Sequence, residues 1–262
     1  LAESNDYRRI LLFSATMPAR IVALSKQYMK EVEVLKVPSK EMTTDLTDQI
    51  YFEVRDSDKF DALTRIIDVE AEFYGIVFCR TKVAVDELVT RLTQRGYAAE
   101  GLHGDVSQAQ REKILKKFKD KQVTILVATD VAARGLDVED LTHVINYGLP
   151  DDVENYTHRS GRTGRAGKKG TSICIIHTRE RAKVREIEKV IGKEFVKGEL
   201  PSGKEICAKQ LYKVIDDIER VEVDEEEIAQ FLPEVYRKLE WLDKEDLIKR
   251  VVSREFGRFL QY

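Results

Sequence analysis

The sequence predicts an α/β fold: a parallel sheet sandwiched by helices, followed by a small all-α module. Three observations predict it. Short apolar runs alternate with amphipathic stretches of helical length between Gln49 and His177, and strands alternating with such helices form right-handed crossover units. Polar, Gly-rich sequences follow the runs, where parallel sheets hold their ligands. After Gly203 only helical periodicity remains.

Taken in order, RILLF at 9–13 is a short apolar run ending in Ser14-Ala15-Thr16, and a second run occupies 32–37. Between them Pro18 suits a first helical position, which predicts a helix over 19–29. The stretch 38–48 is polar, with a Pro and several Thr and Asp, and reads as a linker. A strand-helix-strand piece before a linker is expected to be the tail of a preceding domain, without a sheet of its own. Strands are then expected at 50–54, 75–79, 98–102, 124–128, 143–147 and 172–177. Apolar residues at i, i+3 and i+4 predict helices at 59–69, 83–92, 108–118 and 181–191. The domain reading is 1–37, linker 38–48, α/β domain 49–203 and helical module 204–262.

Composition narrows the class. The chain of 262 residues is 42% hydrophobic and 35% charged, long enough for one α/β domain and an appendage. Its net charge is −3, so contact with nucleic acid must rest on a local basic track and not on bulk charge. Cys79, Cys174 and Cys207 lack metal-ligand spacing and read as buried free thiols of a reducing compartment. No window approaches the ~18 apolar residues of a membrane span, and no signal peptide is evident. The chain opens on Leu1 mid-pattern, so a piece of something longer is expected.

The densest chemistry lies in HRSGRTGRAG, 158–167. If a short helix runs over 154–165, Arg162 and Arg165 share one face. Adjacent guanidiniums repel and are best explained by a dense anion, since their forks suit phosphate oxygens. Gly161, Gly164 and Gly167 would let that anion approach. The plain alternative is a solvated basic loop. Residues placed just after the strands form a second group. Thr81, Gly104, Gln108, Arg111 and Thr129 offer hydroxyl, amide and guanidinium groups and helix N-termini, suited to a row of backbone phosphates. Each could equally be a helix cap or a solvated first-turn residue. Asp137, beside Gly135, could accept from paired ribose hydroxyls, and Asp130 could pair with Arg159 or Arg162. His103, His143 and His177 have no metal spacing. No Walker-type loop and no acidic Mg²⁺ motif occurs, so two finger-like arginines suggest half of an active site.

Ser14-Ala15-Thr16, VFCRT at 77–81, Gln108-x-x-Arg111, ATDVAARGLDV at 128–138 and HRSGRTGRAG resemble, in order and spacing, the later motifs of DEAD-box RNA helicases. The resemblance implies two RecA-like domains closing on ATP-Mg²⁺ and single-stranded RNA, with this chain holding the second and only the tail of the first. It implies that Arg162 and Arg165 act on the γ-phosphate and that Asp137 and Gly135 lie at the nucleotide. It implies that His158, Arg159, Ser14 and Thr16 couple the ATP and RNA sites, and that no metal ligand lies in this chain. Thr81, Gly104, Gln108, Arg111, Thr129 and Gly135 would line the RNA backbone, as would Arg80, where the family tolerates several residues. A DNA-directed superfamily-2 helicase and a non-catalytic RNA clamp or scaffold are the alternative readings.

Beyond Gly203, apolar stripes run through Cys207–Ile218, Ile228–Leu242 and Leu247–Phe259. Three short amphipathic helices need a partner surface. Self-association as a two-fold dimer is favoured over packing in cis. The tail is similar in place and length to the dimerisation segment of bacterial cold-shock and heat-resistant DEAD-box helicases. A cytoplasmic homodimer that binds RNA is the expectation.

Overall fold

A computed structural model describes residues 9–14, 17, 19–29, 31–35, 46–70, 72–136, 138, 141–164 and 167–259. Thr16, Asp137 and Arg165 of the expected site lie outside the described residues. The chain divides into two units, Leu1–Lys40 and Glu41–Tyr262.

In the first unit α1 spans Ala19–Tyr28, close to the expected helix. The runs expected as strands, at 9–13 and over the described part of 32–37, are not strands. A strand needs a neighbour for its backbone hydrogen bonds, and the described residues of this unit supply none. Leu11, Phe13 and Leu35 are exposed.

The second unit is built on a seven-stranded sheet. Its strands are β1 (Thr47–Glu53), β2 (Gly75–Phe78), β3 (Ala99–Leu102), β4 (Ile125–Ala128), β5 (His143–Asn146), β6 (Gly170–Ile176) and β7 (Val196–Lys197). Their order is β3-β4-β2-β5-β6-β1-β7, and every pairing is parallel. The inner strands β2, β4 and β5 are buried at every position, which is why they read as unbroken apolar runs. β1 begins at Thr47, inside the stretch expected as linker, because it pairs with β6 along its whole length. The two-residue β7 carries no periodicity and was invisible in the sequence.

Alternation along each strand sorts the core into two faces. Val77, Ile125, Val127, Ile145, Ile173 and Ile175 meet α2 (Lys59–Val69) and α3 (Lys82–Gln94) through Leu63, Ile66, Val85, Leu88 and Leu92. Ile76, Phe78, Leu126, Ala128 and Val144 face the other way, toward Phe118 of α4 (Gln108–Lys119) and Ala132 and Ala133 of α5 (Asp130–Ala133). Cys174 and Ile176 meet Tyr156 of α6 (Val153–Ser160) and Val184, Ile187 and Ile191 of α7 (Arg181–Ile191) on that same side. This is a RecA-like sandwich, as the sequence predicts. Cys79, Cys174 and Cys207 are buried and form no disulfide, and burial pushes the Cys79 and Cys174 thiols up to about 12, which leaves them unreactive.

The tail forms α8 (Gly203–Arg220), α9 (Glu225–Ile228), α10 (Leu232–Leu239) and α11 (Lys244–Phe259). A Ser202/Glu205 capping box starts α8. Its first turns pack in cis against α2, burying Ile206 and Cys207, and Gln210 donates to the Asp68 carbonyl. The expectation that the tail is free for a second copy is therefore corrected for this end of α8. Farther along, Ile215, Ile218, Phe231, Val235, Trp241 and Ile248 remain exposed. Among the described residues no helix is long and apolar enough to cross a membrane.

Candidate functional site

Because all the strands are parallel, their carboxyl ends form one rim. Strand order sets the sequence β3, β4, β2, β5 along it. That order brings together Gly104 after β3, Thr129 after β4, and Arg80 and Thr81 after β2, although they are distant in the chain. Gln108 opens α4 beside them, with its side-chain amide donating to Glu112 Oε1 at 2.9 Å. Arg111 reaches across to donate to the Arg134 carbonyl at 3.3 Å, tying α4 to the turn after α5. Gly135, in that turn, has φ +69° and open space around it.

Some of these residues are also caps. Thr81 Oγ1 accepts from the Ala84 amide at 3.2 Å, which starts α3. Ser107 and Gln110 form a capping box at α4. A capping oxygen accepts and keeps its own O–H to donate, so a cap at the rim can still face an anion. Thr129 makes no such side-chain cap.

Arg159 sits behind the rim and is 1% exposed. Its Nε and Nη2 donate to Asp130 Oδ1 and Oδ2 at 2.5 and 2.7 Å, a bidentate pair. Nη1 donates to Asn146 Oδ1 at 3.0 Å and to the Gly148 carbonyl at 2.8 Å. The guanidinium also lies 5.0 Å from the centre of the Phe78 ring. One side chain therefore joins the ends of β2, β4 and β5 to α6. Of the two arginines the sequence offered as partners for Asp130, it is Arg159 that pairs with it. Asn146 and Gly148 were missed; an Asn closing the apolar run of β5 is the signal that could have found the first. His158, one residue before, is exposed.

The arginine stretch departs from its expected conformation. α6 ends at Ser160, so Arg162 lies past the helix and not on its face. Gly161 closes the last turn by donating to the Thr157 carbonyl at 2.9 Å. The chain then crosses to the opposite edge of the sheet: Thr163 bridges to Leu141, just ahead of β5, and donates to its carbonyl at 2.5 Å. Arg162 Nη1 donates to the Leu136 carbonyl at 3.0 Å. The phosphate-track candidates follow the carboxyl ends of the strands; the backbone of Arg162 adjoins Thr163, bridged just ahead of β5, while its side chain reaches back to the Leu136 carbonyl, next to Gly135.

The glycines divide by role. Gly164 has φ +68°, and a Cβ there would run into the Thr47 hydroxyl at the start of β1. Gly170 likewise has no room beside Thr163. These two serve the protein's own packing. Gly167, with φ +79°, is open on all sides and leaves its backbone approachable. Gly164→Ala is expected to destabilise the chain by about 2 kcal/mol or more, from left-handed strain plus the clash, read as a lower urea midpoint.

Ser14 belongs to the first unit. Among the described residues no group of three or more His, Cys, Asp or Glu could hold a metal.

Comparison with known proteins follows this geometry. Residues 58–167 match the family described as helicase conserved C-terminal domain, and residues 206–262 match that described as probable ATP-dependent RNA helicase, helical domain. The ATP-dependent RNA helicase CshA of Listeria monocytogenes is 44% identical over 247 residues, 94% of this chain and 47% of that protein. The chain thus spans about half the length of the curated relatives it matches. The structure of the Escherichia coli DEAD-box protein SrmB bound to the regulator RraA is 33% identical with TM-score 0.55, covering 61% of this chain and 93% of that one. Saccharomyces cerevisiae Dbp5 bound to RNA and ADP BeF3 is 28% identical with TM-score 0.66, covering 78% and 54%.

Proposed function

Because this chain belongs to the DEAD-box family, we propose that it is the carboxyl-terminal part of an ATP-dependent RNA helicase, acting on one strand of a short duplex with a first RecA-like domain across a cleft. The observation that carries this reading is Arg159. It joins the carboxyl ends of β2, β4 and β5, a rim suited to RNA phosphates, to α6, and Arg162 follows it three residues on.

At the carboxyl rim Thr81, Gly104, Gln108, Arg111, Thr129 and Arg80 hold the backbone of single-stranded RNA. The grip is on phosphates, so it positions the strand without reading bases. The exposed backbones of Gly135 and Gly167 and the half-buried Arg162, whose side chain reaches the Leu136 carbonyl next to Gly135, suit a nucleotide's phosphates, and Gly135 also borders the RNA track. Asp137 is assigned to the ribose and Arg165 to the γ-phosphate, beside Arg162. ATP, held with Mg²⁺ mainly by the other domain, supplies the phosphoryl bond that is hydrolysed. Arg162 and Arg165 stabilise the negative charge that develops on its oxygens. His158, Arg159, Ser14 and Thr16 couple the two sites, so that nucleotide state decides the hold on RNA. The domain division is proposed as 1–37 from the first domain, 38–48 linker, whose last two residues already belong to β1, 49–203 the second domain and 204–262 the helical module. A cytoplasmic setting accords with three buried cysteines that form no disulfide.

ATP hydrolysis by the intact protein is expected to rise with single-stranded RNA and to respond little to DNA of the same sequence. Equal stimulation by DNA would overturn the RNA assignment. The chain alone, without the first domain, is expected to show no ATPase. For the helical module, the exposed stripe that includes Phe231, Val235 and Trp241 is assigned to a second copy of the protein as a two-fold dimer. Light scattering at micromolar concentration is expected to return the dimer mass; a monomer mass removes this assignment.

A further inference from the structure

Two cations flank Thr81 on the carboxyl rim, and each is held by a carboxylate from a neighbouring loop. Arg80 pairs with Asp151, in the turn after β5. Lys82 Nζ lies 2.6 Å from Asp105 Oδ2, in the turn after β3. Both pairs face water, with side chains 54% and 85% exposed in the first and 56% and 62% in the second.

The carboxylates are kept in place by more than these cations. The Asp151 carbonyl accepts from Lys183 Nζ. The Asp105 amide donates to His103 Nδ1 at 3.3 Å, and His103 Nε2 lies 3.0 Å from Asp86 Oδ1. Displaced from its cation, either carboxylate would therefore remain at the rim.

We propose that Asp105 and Asp151 are built-in competitors for RNA phosphate, which set how weakly the rim grips and how fast it lets go. The proposal rests on the assignment of this rim to RNA. An exposed ion pair contributes little to folding, so a phosphate can take the carboxylate's place at small cost. The carboxylate left behind sits well within a Debye length of that phosphate and repels it. In the free protein the same pairs neutralise Arg80 and Lys82, so the rim attracts a polyanion less than its cations alone would. A helicase that must release its strand at each cycle benefits from such a limit.

The test measures binding of the intact protein to a fluorescent oligouridylate over a salt series. Asp105→Asn and Asp151→Asn keep side-chain shape and are each expected to tighten binding about threefold at low salt, the scale of one exposed ion pair. Together they should reach about tenfold, mainly through slower dissociation, and the gain should fade as salt rises. Arg80→Ala should cancel the gain from Asp151→Asn, and Lys82→Ala that from Asp105→Asn. Asp120→Asn, an exposed acid at the end of α4, should change little. Unchanged or weaker binding by both variants with native melting, or a gain that survives loss of the paired cation, overturns the proposal. If the wild type binds but Thr81→Ala and Arg111→Ala do not weaken it, the RNA assignment falls as well; wild-type binding weakened by those two with no gain from the Asn variants sinks this inference alone.

Discussion

Replacing Arg162 with alanine is expected to lower RNA-stimulated ATP turnover of the intact protein by about 10³-fold, the loss associated with withdrawing an arginine finger. The side chain lies past the end of α6, with Nη1 donating to the Leu136 carbonyl at 3.0 Å. Its backbone belongs to a turn fixed independently by Thr163 and Gly164, so alanine should leave the fold in place, as a melting curve would confirm. RNA affinity without nucleotide should stay within about twofold of wild type, because Arg162 is assigned to the nucleotide and not to the phosphate track. Arg162→Lys keeps the charge without the planar fork and should recover only part of the loss. Turnover close to wild type in the alanine variant would instead favour a clamp that binds RNA without using this arginine.

Asp130→Ala should produce the largest loss of stability, about 3 kcal/mol in urea unfolding, because it strands the buried guanidinium of Arg159. Asn146 and Gly148 would still accept from that side chain, but neither neutralises its charge. Asp130 itself is 28% exposed, which places the loss at the lower end of what breaking a buried pair costs. Adding Arg159→Met removes the orphaned charge and should restore part of the stability. It should not restore activity, since the link from the carboxyl rim to α6 would be gone. If Asp130→Ala unfolds at the wild-type urea concentration, the pair is not a structural tie and the coupling role assigned to Arg159 loses its basis.

Much of the fold was legible because burial on both faces leaves a simple trace. The inner strands are continuous apolar runs, and the helices α2 and α7 follow their 3.6-residue stripes to the residues expected, 59–69 and 181–191. That the candidate residues would gather on the carboxyl rim was legible for a related reason: in a parallel sheet the polar residues that follow each strand share one end. Misreadings came where tertiary pairing overrides a local pattern. RILLF at 9–13 has the composition of a strand but is not one, and the described residues of its unit supply no neighbouring strand to pair with. The arginine stretch has helical spacing, yet the bridge from Thr163 to Leu141 pulls it out of the helix.

Sequence alone determined the class of chemistry, since residue types and their order carry the motifs and the alternation that makes the sheet. Only the folded chain decided which of those residues are neighbours. Strand order set Thr81 between the loops that carry Asp105 and Asp151, and turned Arg159 inward onto Asp130 and Asn146. The reason is that charge and hydrogen-bond partners are chosen by distance in space, and sheet order, which fixes those distances, is not written in the order of the chain.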